Sequence, residues 1–164
     1  MGLSFNADEV LQMAERIERT GARFYRQAAE TCVGADDALK GKLLELAEME
    51  DTHERTFTEM RGTLSGGEAR PTAFDPEGET AQYLAAMADA NVFGRDADPT
   101  AVACGKPVEE ILRLAIALEK ESIVFYLGLR DLVPERSGRS KVERILKEEM
   151  AHVALLRGHL AALT

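Results

Sequence analysis

Two stretches of this sequence place a histidine three residues after a glutamate: Glu50-Asp51-Thr52-His53 and Glu149-Met150-Ala151-His152. On a helix, positions i and i+3 share a face, so a carboxylate and an imidazole so spaced can reach a single ion. One such pair is a weak signal, because most lie on solvated helix faces. Here the pair occurs twice, and a second phrase is also duplicated. Ile17-Glu18-Arg19-Thr20-Gly21-Ala22-Arg23-Phe24-Tyr25 parallels Leu118-Glu119-Lys120-Glu121-Ser122-Ile123-Val124-Phe125-Tyr126. Six ligand-type side chains thus appear in repeated order: Glu18, Glu50, His53, Glu119, Glu149 and His152.

The elements that must position them read as four long helices in an all-α chain, spanning about Ala7–Cys32, Asp36–Arg61, Pro107–Val133 and Glu135–Leu163. Asn6 with Glu9 makes a capping-box pair for the first, and Gly34 and Gly62 mark the ends of the first two. Pro107 suits the first turn of the third, followed by Glu109 and Glu110 at its positive end. Gly138 and Ser140 blur the start of the fourth.

Each helix carries an apolar stripe in three- and four-residue steps, the spacing that keeps one face toward its neighbours. The stripes run Leu11, Ala14, Glu18, Gly21, Tyr25, Ala28, Cys32, then Leu43, Leu46, Glu50, His53, Phe57, Met60. They continue as Leu112, Ala115, Glu119, Ser122, Tyr126, Leu129, Val133, and as Val142, Ile145, Glu149, His152, Leu156, His159, Leu163. A glutamate interrupts every stripe near its middle. Glu18 stands 14 residues before Cys32 and Glu50 stands 14 after Asp36, so an antiparallel hairpin sets them at one height. Glu119 and Glu149 stand likewise 14 residues from Val133 and Glu135.

Four carboxylates in one core layer repel each other, and each unpaired buried ion costs on the order of several kcal/mol. No lysine or arginine lies on the seams to neutralise them. Two divalent cations would supply that charge. One imidazole per metal amid carboxylates suits iron or manganese better than structural zinc, although zinc can substitute. Tyr25 and Tyr126 flank the layer and read first as core aromatics, then as redox groups. His159 reads as an ordinary residue near the bundle end. A metal-free structural bundle fits the seam carboxylates poorly.

Between the second and third helices lies Gly62–Lys106, rich in glycine and proline and much longer than a bundle turn. Its length suits a crossover running back along the bundle. Within it, a short helix is expected to open at Asp75-Pro76, continue through Ala81, Leu84, Ala85, Ala88 and Val92, and end at Gly94.

The remaining composition narrows the class. A length of 164 residues suits a single domain over 1–164. The formal charge of −9 disfavours nucleic acid and anionic membranes as partners. No apolar run is long enough to span a bilayer, and the N-terminus does not read as a secretion signal. Cys32 and Cys104 lie far apart without a C-x-x-C, so neither a disulfide nor a cysteine metal site is expected, and a reducing cytoplasmic setting fits best.

The residues resemble a known group. One glutamate from each of two helices and Glu-x-x-His from each of the other two is the di-iron carboxylate pattern of ferritin-like proteins. Glu18, Glu119, Glu50-x-x-His53 and Glu149-x-x-His152 match it, and the phrases around Phe24-Tyr25 and Phe125-Tyr126 look like its rubrerythrin branch. The resemblance covers nearly the whole chain. It implies a ferritin-like four-helix bundle with two iron ions, bridged by Glu50 and Glu149. Glu18 and His53 would complete one metal, Glu119 and His152 the other.

It further implies reduction of O2 or hydrogen peroxide with oxidation of ferrous iron, a peroxidase or ferroxidase. The rival is a non-catalytic iron-binding or iron-sensing module using the same ligands. The chain departs from rubrerythrins in three ways. No rubredoxin-like paired C-x-x-C motifs occur, so electrons are expected from an external donor or from ferrous iron itself. Ile116 stands where an additional metal-binding glutamate is usual. The chain ends at Thr164 without the fifth helix of cage-forming ferritins, so a storage cage is not expected. A homodimer is expected.

Overall fold

The computed structural model describes residues 5–32, 37–69 and 103–163. They form four helices: α1 (Ala7–Thr31), α2 (Asp37–Gly62), α3 (Val108–Arg130) and α4 (Arg139–Ala161). Short 3₁₀ turns span Gly66–Glu68 and Glu135–Ser137, and there is no strand among the described residues. The expected crossover helix at 75–94 and the expected stop at Gly34 lie outside the described residues.

The start of α1 follows directly from its sequence. Asn6 Oδ1 accepts the Glu9 N–H at 2.9 Å, and Glu9 Oε2 accepts the Asn6 N–H at 2.8 Å. Such reciprocal capping satisfies donors that have no partner within the helix and contributes about 1 kcal/mol. Apart from the start of α4, other boundaries shift from expectation by one to three residues, the largest of these at the end of α3, which stops at Arg130 and not Val133. Pro107 caps α3 from outside its first turn, and Gly62 is the last residue of α2.

The fourth helix starts later than expected, at Arg139. Residues 135–137 form the 3₁₀ turn, and Gly138 follows with φ +94°, a left-handed conformation that favours glycine. A Cβ at Gly138 would also lie 2.6 Å from that of Ala7, so the turn packs against the start of α1.

Ion pairs between helices mark their directions. Arg61 at the end of α2 meets Asp8 at 2.6 Å and Glu15 at 3.3 Å, near the start of α1. Arg19 meets Glu54, and Arg26 meets Asp51, in the same antiparallel register. The Arg19–Glu54 and Arg26–Asp51 pairs are exposed and contribute little to stability, whereas the Arg61 pairs are part-buried. Between α2 and α4 the pairs His53 with His152 and Glu45 with His159 set a second antiparallel register. The Phe5 N–H donates to the Leu132 carbonyl at 3.0 Å, which brings the start of α1 to the end of α3. So α1 and α4 run one way while α2 and α3 run the other. The chain leaves α2 at one end of the bundle and enters α3 at the opposite end, as a crossover requires.

That topology corrects the reading of the cysteines. Cys32 caps the end of α1, and Cys104 lies just before α3, at the same end of the bundle. They are joined in a disulfide, with Cα atoms 4.9 Å apart and 72 residues between them in sequence. No spacing rule for local motifs reveals such a pair. The inference of a reducing compartment from unpaired cysteines falls with it.

The seams form the core. From Leu11 to Leu156 every apolar seam residue named above is buried, while Leu163, beyond the end of α4, is exposed. Among the described residues no helix is long and apolar enough to cross a membrane.

Candidate metal centre

The four seam glutamates and two histidines meet in one layer halfway along the bundle. Each comes from the middle of its helix, where no frayed end moves it. Three overlapping groups have donor atoms within 4.8 Å of one another. These are Glu18, His53 and Glu149; Glu119, Glu149 and His152; and Glu50, His53 and His152. The two imidazoles meet edge to face with centroids 4.3 Å apart. Glu18 Oε2 lies 3.7 Å from His53 Nδ1, and Glu119 Oε1 lies 2.5 Å from His152 Nδ1. Neither contact has hydrogen-bond geometry, which leaves both Nδ1 atoms buried and unsatisfied.

All four carboxylates and His152 are buried; His53 retains slight exposure. The electrostatic consequences follow from that burial. Desolvation pushes Glu18 well above the usual carboxylate range, and Glu149 and Glu50 push further. Glu149 is raised in the same way by burial and by Glu119. Burial also raises Glu50, against the opposing effects of Glu18 and His152. Glu119 is pushed up to about 8 by burial and by the charge of Glu50. The imidazoles move oppositely: burial, then His152, brings His53 down to about 3, and burial lowers His152 while Glu50 resists. Neutral imidazoles and carboxyls that hold protons are the state of a carboxylate cluster that lacks positive charge.

Several donors have no partner. Glu149 Oε1, His53 Nδ1 and both ring nitrogens of His152 are buried without a hydrogen bond. Buried polar atoms are nearly always satisfied, so an unsatisfied set converging on one point requires an explanation. A cation supplies it, because carboxylate oxygens and neutral imidazoles are the donors that hard and borderline divalent metals take. The residues fit metal ions.

Tyr25 and Tyr126 are fully buried on either side of the layer. Burial and the nearby carboxylates hold both phenols well above their ordinary pKa, so both keep their protons. Ile116 is buried one turn before Glu119. His159 stands away from the layer, with Nδ1 3.3 Å from Glu45 Oε1.

Sequence reasoning missed the approach to the layer. A cleft of about 300 Å³ opens between α2 and α4, lined by Glu45, Glu48, Met49, Thr52, Leu155 and the two histidines. Apart from the two histidines, its residues lie beside the seams, where apolar periodicity carries no signal. The only available sign was the second glutamate five residues before His53.

Comparison with known proteins follows the same line. The profile of the ferritin-like domain matches residues 6–162. A crystal structure from Thermotoga maritima, provisionally assigned as a ferritin-like diiron-carboxylate protein, shares 24% identity. The two chains cover each other completely, with a TM-score of 0.53. A hypothetical protein from Pyrococcus furiosus shares 24% identity over 99% of this chain and 96% of its own, with a TM-score of 0.52. At this identity both likenesses bear on the fold. No curated protein matches the chain. Because the ferritin-like domain profile spans nearly the whole chain, the chain belongs to the ferritin-like domain family.

Proposed function

We propose that the six residues bind two iron ions and that the protein is a rubrerythrin-like di-iron oxidoreductase. It reduces hydrogen peroxide or O2 while ferrous iron is oxidised. The observation that carries this is the sharing of donors. Glu149 stands with Glu18 and His53 in one group and with Glu119 and His152 in another, while Glu50 stands with both imidazoles. Glu149 and Glu50 would be shared between two ions, while Glu18 and His53 would hold one and Glu119 and His152 the other.

Two ferrous ions supply two electrons together, the number that reduces peroxide to water. The chain does the rest. Its glutamates release their protons as metal binds, since ligands must be deprotonated. Leu46 and Phe57 on α2, with Ile145 and Leu156 on α4, bracket the layer with buried apolar surface and exclude bulk water. Tyr25 and Tyr126, held protonated by burial and by the nearby carboxylates, do not serve as bases. Ferrous iron itself or a separate donor would supply the electrons.

Anaerobic titration with ferrous iron tests the reading and should saturate at two ions per chain. Stopped-flow mixing with O2 or peroxide should then oxidise the bound iron. Saturation at one ion would end the binuclear proposal. Tight binding of two ions without oxidation would make the protein an iron-binding module.

A further inference from the structure

The carboxylate layer must be filled from outside, and only one of its six groups reaches solvent appreciably. That group is His53, whose side chain is 13% exposed; the other five are 8% exposed or less. His53 lines the cleft between α2 and α4 together with His152. His152 is buried, and neither of its ring nitrogens has a hydrogen-bond partner. The floor of the cleft is therefore made of imidazole donors belonging to the layer itself. Its rim carries two exposed carboxylates, Glu45 and Glu48. Glu45 is partly neutralised, since it pairs with Lys42 and lies beside His159. Glu48 has no ion pair among the described residues.

We propose that divalent cations enter the layer through this cleft, docking first on Glu48 and Glu45 and passing over Met49 and Thr52 to His53 and His152. The proposal rests on the metal-centre reading above and names the route by which its metal arrives. A cation and not the oxidant is the species these residues favour. O2 and peroxide are uncharged and gain little from two carboxylates, whereas a cation is concentrated by them, in a field already set by a net charge of −9. Rim carboxylates act on the rate of encounter, and the final affinity belongs to the buried layer.

Route and ligand have different kinetic signatures. A residue on the route changes entry and exit together and leaves the dissociation constant unchanged; a ligand changes the dissociation constant. Cobalt(II) is the probe, followed by its visible absorbance in anaerobic stopped flow, with release measured by adding excess chelator. Glu48→Gln should slow uptake about tenfold at low salt, the lower end of electrostatic steering. Glu45→Gln should slow it less, and both differences should shrink at 0.5 M salt. Thr52→Trp, which narrows the cleft sterically, should slow uptake and release by the same factor at any salt concentration. All variants should reach the stoichiometry of the native protein. Uptake at the native rate in Glu48→Gln and Thr52→Trp would overturn the route, as would a fall in stoichiometry. Failure of the native protein itself to take up two ions would instead overturn the metal centre, so the two failures are distinct.

Discussion

Replacing Glu119 by glutamine should stabilise the metal-free protein, although Glu119 is read as a metal ligand. Its carboxyl titrates at about 8 in the fold, against a reference of 4.5. At pH 7 the unfolded chain therefore carries this group ionised while the folded chain holds it protonated. The folded state must take up a proton that the unfolded state has released. Linkage puts the resulting penalty at about 3 kcal/mol at pH 7, from about 2.5 pH units at 1.36 kcal/mol each.

The sign follows from the raised pKa. The group disfavours folding least below pH 4.5 and increasingly as pH rises toward 8. At pH 5 the penalty is below about 1 kcal/mol. Glutamine does not titrate and keeps an amide that can donate toward Glu149 or His152. The assay is urea unfolding of chelator-stripped native and Glu119→Gln proteins at pH 5 and pH 7. The variant's gain should be about 3 kcal/mol at pH 7 and should nearly vanish at pH 5. An equal gain at both values, or a loss at pH 7, would refute the desolvation argument. With metal present the sign reverses, because the substitution then removes a ligand.

Other outcomes follow from the same geometry. Glu50→Ala and Glu149→Ala should each impair both metals, whereas His53→Ala or His152→Ala should mainly weaken one; titration showing equal mild losses in all four would count against the bridging assignment. Ile116→Glu would add a carboxylate on the buried face one turn before Glu119, and peroxide reactivity of the iron-loaded protein should rise. Native protein that already reacts far faster with peroxide than with O2 would show that this extra carboxylate is dispensable. Replacing Cys32 and Cys104 together by serine should lower unfolding stability by about 4 kcal/mol, from the entropy of the long loop the disulfide closes. An unchanged urea midpoint would mean that the bridge does not restrain the unfolded chain.

The acidic layer was legible in the sequence because its information is periodic. A glutamate on an apolar seam violates the pattern around it, and four violations at one height are a three-dimensional statement made in one dimension. The cap at Asn6 was legible for a similar reason, being local chemistry at fixed spacing. The disulfide depends on topology. Only when α1 ends and α3 begins at the same end of the bundle do positions 32 and 104 become neighbours. The expected crossover already implied that arrangement, so the pair could have been found by following the chain direction instead of cysteine spacing. The late start of α4 depends on Gly138 folding against Ala7, a contact between distant segments. The cleft was illegible because a concavity is a property of two helices together, and Thr52 and Leu155 look like any other helix-face residues.

The bridge between Cys32 and Cys104 also makes a covalent ring. All of α2 and nearly all of the connection to α3 lie inside it, and so do Glu50 and His53, while Glu18, Glu119, Glu149 and His152 lie outside. One peptide bond cut within the ring opens it without dividing the molecule, because sulfur still links the two pieces. A nicked chain would thus migrate as one species in denaturing electrophoresis until a reductant is added, and then as two. Its six donors would stay tethered in a single molecule, so refolding after such a cut would remain independent of protein concentration.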